Sequence, residues 1–298
     1  MQIARGKNLS SFIFSYGFYI VLVLVVIFFS LSTRHFFSTS NFANLLHNSA
    51  PLMILASGFA LVVMTGKLDI SIGSTAYLAT AIGTTLLVKQ DQSPVVAVAV
   101  TLLIGTLCGL INGLVIVYLR VNPLIATMGA MFIYRGLGLL LTNSLAMSIS
   151  QDLRKIGNST IGPLYADFLL ALIFLIVLQF VLRYTPYGRN VQAVGNGEDV
   201  ASRLGVNVKR VNLITFTLTG LFAALGGILI VLQVGSHNSH VGLGLEVTGM
   251  AVTILGGVSL FGGEGSLVPG FMIGVWTLNI IENGLNHMGA SPYAYPFV

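Results

Sequence analysis

Residues 49–88 read SAPLMILASGFALVVMTGKLDISIGSTAYLATAIGTTLLV. Two apolar runs, 49–65 and 72–88, flank a short break that holds one lysine and one aspartate. Each run approaches the about 20 residues a helix needs to cross a bilayer. The runs are continuous rather than alternating, which makes them helices and not barrel strands. The same signal recurs at 12–31, 94–119, 124–141, 164–182, 211–234, 247–261 and 267–288. The expected fold is an all-α polytopic membrane protein, one transmembrane domain over 1–298 with nine spanning helices. The 34 glycines predict broken or re-entrant segments, which are tolerated where they line a cavity.

Composition agrees. Of 298 residues, 55% are hydrophobic and 8% charged, against roughly 25% charged in soluble domains. That excludes a soluble enzyme, a disordered chain and a disulfide scaffold, and the single cysteine, Cys108, excludes an internal disulfide. The net charge of +5 is not clustered as a nucleic-acid patch would be, so no nucleic-acid partner is expected, only membrane lipid. The first run is too long for a signal-peptide core and reads as an uncleaved anchor.

Lys and Arg set the orientation. With a cytoplasmic N-terminus, Arg5, Lys7, Lys67, Arg120, Arg183, Arg189, Arg203, Lys209 and Arg210 fall inside. Arg34, Lys89, Arg154 and Lys155 fall outside and Arg135 lies within a span, as the positive-inside rule prefers. The longest cytoplasmic loop is then 183–210, and the longest external one is 142–163. Nine spans leave the C-terminus outside, and the stretch 293–298, YAYPFV, reads as the approach to a further helix.

Gly105, Gly109 and Gly113 share one helix face, as do Gly270 with Gly274 and Ala223 with Gly227, and all read as close-packing faces of a bundle. There is no Walker A motif: Gly66-Lys67 is followed by Leu68. Gly195-Asn-Gly197 lacks the third glycine of a dinucleotide fingerprint, and Gly262-Gly-Glu-Gly265 has no lysine to meet a phosphate. His237 and His240 read as solvated residues of a short external loop, while His35, His47 and His287 are isolated. The sequons at Asn8 and Asn158 are patterns common by chance. No catalytic group, metal site or cofactor is expected, because no nucleophile–base pair or ligand cluster is visible.

Polar groups at membrane depth are costly and therefore candidates for a translocation pathway. Asp69 and Ser71 sit in the break, where they can also cap the following helix. Arg135 lies about eleven residues into the fifth span, with Asn112 in the fourth and Asn122 and Thr127 near the start of the fifth. Glu246 and Thr248 open the eighth span; Asn279 and Asn283 share a face of the ninth, with Glu282 beside them. Hydroxyls and amides suit a neutral, hydroxyl-rich solute, although helix packing also uses them. In the 183–210 loop, Pro186 and Gly188 end the sixth helix, and Glu198 to Leu204 can form a short helix between Gly195-Asn196-Gly197 and the C-cap Gly205.

Here the chain resembles the membrane subunits of bacterial ABC importers for simple sugars, the ribose/galactose/xylose permease family. Gly66-Lys-Leu-Asp-Ile-Ser-Ile-Gly-Ser74 is similar to that family's Gly-Gly-Ile-Asp-Leu-Ser-Val-Gly-Ser signature. Gly109-Leu-Ile-Asn-Gly113, Asn122-Pro-Leu-Ile-Ala-Thr127 and Arg135-Gly136 look like its next blocks. Thr185-Pro-Tyr-Gly-Arg189 through Gly205-Val-Asn-Val-Lys-Arg210 resembles its coupling region, and Leu255 to Ser266 and Asn283 to Asn286 complete the set. Lys67 stands where the family usually has Gly, and Thr248 where it has an acidic residue.

The resemblance implies a dimer of ten-helix permeases, of two copies or two paralogues, served by a cytoplasmic ATP-binding subunit and a periplasmic sugar-binding protein. Gly188, Arg189, Gly195, Asn196, Glu198, Ala201, Leu204 and Gly205 would then couple to the ATPase, with Glu198, Ala201 and Leu204 forming one docking face. The competing readings are a branched-chain amino acid permease of the same type and a self-sufficient carrier or channel.

Overall fold

The computed structural model describes residues 9–33 and 36–289. Among these described residues there are twelve α-helices, with four two-residue strands between them: α1 (Leu9–Ser32), α2 (Thr39–Met64), α3 (Ile72–Lys89), α4 (Pro94–Tyr118), α5 (Pro123–Thr142), β1 (Met147–Ser148), α6 (Gln151–Gly157), β2 (Thr160–Ile161), β3 (Leu164–Tyr165), α7 (Ala166–Tyr184), α8 (Pro186–Asn196), α9 (Glu198–Arg203), α10 (Val208–Val234), β4 (Ser236–His237), α11 (Leu245–Leu255) and α12 (Met272–His287). Each of the nine apolar runs overlaps one helix, α1 to α5, α7 and α10 to α12. Among the described residues, α2, α4, α5, α7 and α10 are long and apolar enough to cross a membrane.

Local chemistry sets the ends. Ser38, Ser93, Asn122 and Asn207 each accept a backbone N–H in the first turn of α2, α4, α5 and α10. Pro94 and Pro123 occupy the first turns of α4 and α5, where no N–H is needed. Gly235, at φ 81°, closes α10 in the left-handed region that glycine enters freely.

The centre of the bundle is α2, whose most apolar window is 89% buried. It is enclosed by α7, α10, α11 and α12. Between lipid-bathed helices there is no hydrophobic drive to associate, so close van der Waals fit carries the packing. Glycines supply that fit along α10. A Cβ on Gly220 would lie 2.1 Å from the Gly105 carbonyl oxygen, and one on Gly109 2.3 Å from the Phe216 carbonyl oxygen. Gly226 meets Pro51 and Leu55 of α2, and Gly227 meets Ala76 and Thr80 of α3. In the ninth run, Gly270 and Gly274 lie against Gly256 and Val252. The glycine faces are thus used inside the bundle.

Several boundaries differ from the sequence reading. The second helix begins at Thr39 rather than 49, because Asn41 on its buried face is satisfied by Asn283 and Phe36. The eighth span stops at Leu255, a helix about 17 Å long, only half a bilayer core of about 30 Å. Residues 256–266 turn through Gly257, Gly262 and Gly263, all at positive φ, before α12. The 183–210 loop is mostly helical: Pro186 starts α8 rather than merely ending α7. Arg5, Lys7, Asn8, Arg34, His35 and the stretch 293–298 lie outside the described residues.

Candidate functional site

The break between α2 and α3 is built from its own hydrogen bonds. Gly66, at φ 75°, turns the chain after α2, and its N–H reaches the Val63 carbonyl at 2.8 Å. Asp69 then accepts from the Ser71 backbone N–H at 2.9 Å and from its hydroxyl at 2.6 Å. Asp69 therefore does hold the head of α3, while Ser71 turns its hydroxyl to Asp69 instead of capping. Asn112 of α4 donates to the Ser71 hydroxyl at 2.8 Å, and Tyr134 of α5 donates to Asn112 at 3.0 Å. The Ile70 N–H donates to Thr127 at 3.3 Å. Asp69, Ser71, Asn112, Thr127 and Tyr134 are all buried. They form one polar thread through α3, α4 and α5, in which the sequence reading had Asp69, Ser71, Asn112 and Thr127 as separate candidates and did not have Tyr134.

A second cluster lies further along α3. The Arg135 guanidinium sits 4.4 Å above the Tyr77 ring and donates to the Val241 carbonyl at 2.8 Å. Tyr77 stacks on His237 with ring centroids 4.9 Å apart, and His237 Nδ1 lies 3.2 Å from the Thr80 hydroxyl. His237 is fully buried, which corrects its reading as a solvated loop residue. The segment 235–244 is drawn down along α3, and its glycines allow this. A Cβ on Gly73 would lie 2.1 Å from the Gly242 carbonyl and 2.8 Å from Glu246 Oε2. Glu246, at the head of α11, is thereby within electrostatic reach of Arg135.

The other candidates stand apart from these clusters. Asn122 caps α5 at its exposed end. Thr248 bonds its own helix at Gly244, and Asn279 bonds Val275. Asn283 exchanges two 3.0 Å bonds with Asn41, which His287 also meets at 3.1 Å, so this group joins α12 to α2. His47 is not isolated either: it pairs with Asp167 at 2.8 Å, and Gln233 donates to the same carboxylate.

At the α9 end, Gly188 fits under Leu182, and Gly195 under Met64, with no room for a Cβ at either. Asn196 packs on Gly263, and Arg189 is exposed. Glu198 forms an ion pair with Lys67 and accepts from Asn212 at 3.0 Å. Partial burial raises the Glu198 carboxyl, but the Lys67 ammonium and the Asn212 amide outweigh it and hold it below the usual carboxylate value. The pair is thus fully formed above the ordinary glutamate pKa and is lost as pH falls through the lowered one. Ala201 is buried at 1% exposure, so Glu198, Ala201 and Leu204 do not form one outward face. The outward apolar residues are Val200 and Leu204, at 62% and 77%, and Gly205 turns the chain after them at φ 84°. Among the described residues no three His, Cys, Asp or Glu gather as metal ligands.

The signals for the missed residues were weak. Tyr77 and Tyr134 carry no charge and sit inside apolar runs, while Lys67 stood out only as a departure from the family's usual glycine, with nothing local to point to Glu198.

Comparison with known proteins completes this picture. The family model described as "Branched-chain amino acid transport system / permease component" matches residues 41–297. The chain is 34% identical over 280 residues to the ribose import permease protein RbsC of Escherichia coli K12, covering 92% of this chain and 86% of that protein. It is 32% identical over 269 residues to the autoinducer 2 import system permease protein LsrC of Escherichia coli O9:H4, covering 89% and 78%. The Shigella flexneri LsrC matches at the same identity and coverage. No solved structure matches the chain.

Proposed function

The chain belongs to the permease-component family of these transport systems, and from that membership we propose that it is the membrane-spanning subunit of an ATP-driven ABC importer carrying a monosaccharide or related polyol across the bacterial inner membrane. The relatives named for ribose and autoinducer 2 import carry this reading. The buried thread of hydroxyls and amides from Asp69 to Tyr134 agrees with a neutral, hydroxyl-rich solute. Branched-chain amino acids, named in the family description, are the second reading.

In this proposal the N-terminus and the α9 end face the cytoplasm, as Arg120, Arg183, Arg203 and Lys209 at that end favour. ATP is hydrolysed by a cytoplasmic partner subunit, a periplasmic protein delivers the solute, and a second copy or a paralogue completes the pathway. The pathway is the break at Asp69 and Ser71 with Asn112, Thr127 and Tyr134, flanked by Arg135 and Glu246. Val200 and Leu204 are the apolar surface offered to the ATP-binding subunit.

The test is uptake into vesicles holding the co-purified native complex, with labelled ribose, other monosaccharides and leucine as candidate solutes. ATP-dependent entry of a sugar is expected. ATP-dependent entry of leucine alone would favour the second reading, and ATP-independent uptake by the isolated chain would make it a self-sufficient carrier. Within the complex, replacing Val200 with Glu and Leu204 with Lys should lower ATP-driven uptake about tenfold or more while leaving membrane insertion intact, since each puts an unpaired charge into a contact that would otherwise bury apolar surface. Uptake at the unaltered rate would remove α9 as the docking element.

A further inference from the structure

The ion pair between Lys67 and Glu198 joins two regions that the chain keeps far apart: the helix offered to the ATP-binding subunit and the buried break two residues before Asp69. Its surroundings divide sharply into a locked part and a free part. The locked part is where three backbones meet. A Cβ on Gly195 would lie 1.9 Å from the Met64 carbonyl and 2.2 Å from the Gly263 nitrogen, and the Gly263 N–H donates to that same carbonyl at 3.0 Å. A Cβ on Gly262 would lie 2.8 Å from both Gly195 O and Gly66 N. The ends of α8 and α2 and the 256–266 turn are therefore one block.

The free part is α9. It lies between Gly197, whose nearest neighbours to an added Cβ are its own Val200, and Gly205, which has nothing within 4 Å. On its inner side Ala201 is buried and Glu198 accepts from Asn212 of α10 at 3.0 Å, while Val200 and Leu204 project outward. A short helix between two open glycines can shift while α8 stays fixed. What it takes with it is Glu198, its first residue, and so Lys67.

We propose that Lys67 and Glu198 are positioning residues that transmit displacement of α9 to the Asp69–Ser71 break, while the glycine junction behind them holds the bundle still. The tie needs no great strength. An ion pair with Glu198 half-exposed contributes little to folding, so its use lies in register rather than stability. Displacement of Lys67 moves Asp69 through two peptide units, and with it Ser71, Asn112 and Tyr134 on three helices. The proposal rests on the importer reading and adds to it which contact carries the motion inward.

The experiment compares the unaltered complex with Lys67→Glu, Glu198→Lys and the double exchange, reading solute moved per ATP hydrolysed in vesicles. Each single reversal should lower that ratio about tenfold with ATP hydrolysis and complex assembly retained. The double exchange should restore it to within about threefold. A ratio unchanged in the single variants overturns the proposal, and so does a double exchange no better than either single. Release of the ATP-binding subunit by Glu198→Lys also overturns it, because Glu198 would then be a docking residue. Absence of ATP-driven uptake by the unaltered complex is read first, and it rejects the importer reading itself.

Discussion

Leucine at position 220 should remove most of the folded protein from the membrane. A Cβ there would lie 2.1 Å from the Gly105 carbonyl, 2.7 Å from the Gly109 nitrogen and 2.8 Å from its Cα. All three are backbone atoms, so no rotamer change makes room, and α4 would have to withdraw from α10 by about an ångström. Overpacking costs about 1–3 kcal/mol even where side chains can adjust. Here the loss extends along the whole contact, because fit alone holds these helices together. The amount of monodisperse protein extracted in mild detergent should fall about tenfold or more, since a loss spread along the whole contact is comparable to the total stability of a marginally stable fold. Gly129→Leu is the control, since nothing lies within 4 Å of its added Cβ. Equal yields of the two variants would show that α4 and α10 do not depend on this approach.

Alanine at position 69 should nearly abolish transport. It removes the acceptor of both Ser71 bonds, and a buried donor left unmatched costs about 1–3 kcal/mol. Freed of Asp69, the Ser71 hydroxyl no longer fixes Asn112, and the thread to Tyr134 loses its order. ATP-driven uptake should fall about a hundredfold, two such bonds being involved. Asp69→Asn keeps an acceptor oxygen and should retain uptake to within about tenfold of the unaltered protein. An Asn variant as inactive as the Ala variant would mean that the negative charge itself, rather than the hydrogen bonds, is used.

The apolar runs were legible because lipid demands them: each of the nine holds a helix, and the break at 66–71 stood out as polar sequence between two of them. What hid was polar sequence serving the interior. Asn41 and His47 lengthen α2 by ten residues, but a hydropathy reading takes them for loop. His237 looked like solvent-facing loop because the descent of 235–244 along α3 depends on close approach of Gly73 and Gly242, which lie far apart in the chain. Three-residue spacing placed Ala201 beside Glu198 and Leu204, yet a six-residue helix set on a bundle turns one side inward whatever its pattern. The ion pair of Lys67 with Glu198 is a contact across the chain, and no local pattern announces such a contact.

The enclosure of α2 has a consequence for how the protein is made. This helix leaves the ribosome well before two of the helices that cover it, α11 and α12, which begin only at Leu245 and Met272. Residues 65–244 must be synthesised first, roughly 10–40 s at about 5–20 residues per second. Through that interval the least apolar of the five long helices, with Asn41 still waiting for Asn283, is without part of its cover. Its biogenesis therefore depends on a temporary neighbour, either the insertion machinery or an earlier helix in a provisional arrangement, until the C-terminal third of the chain arrives.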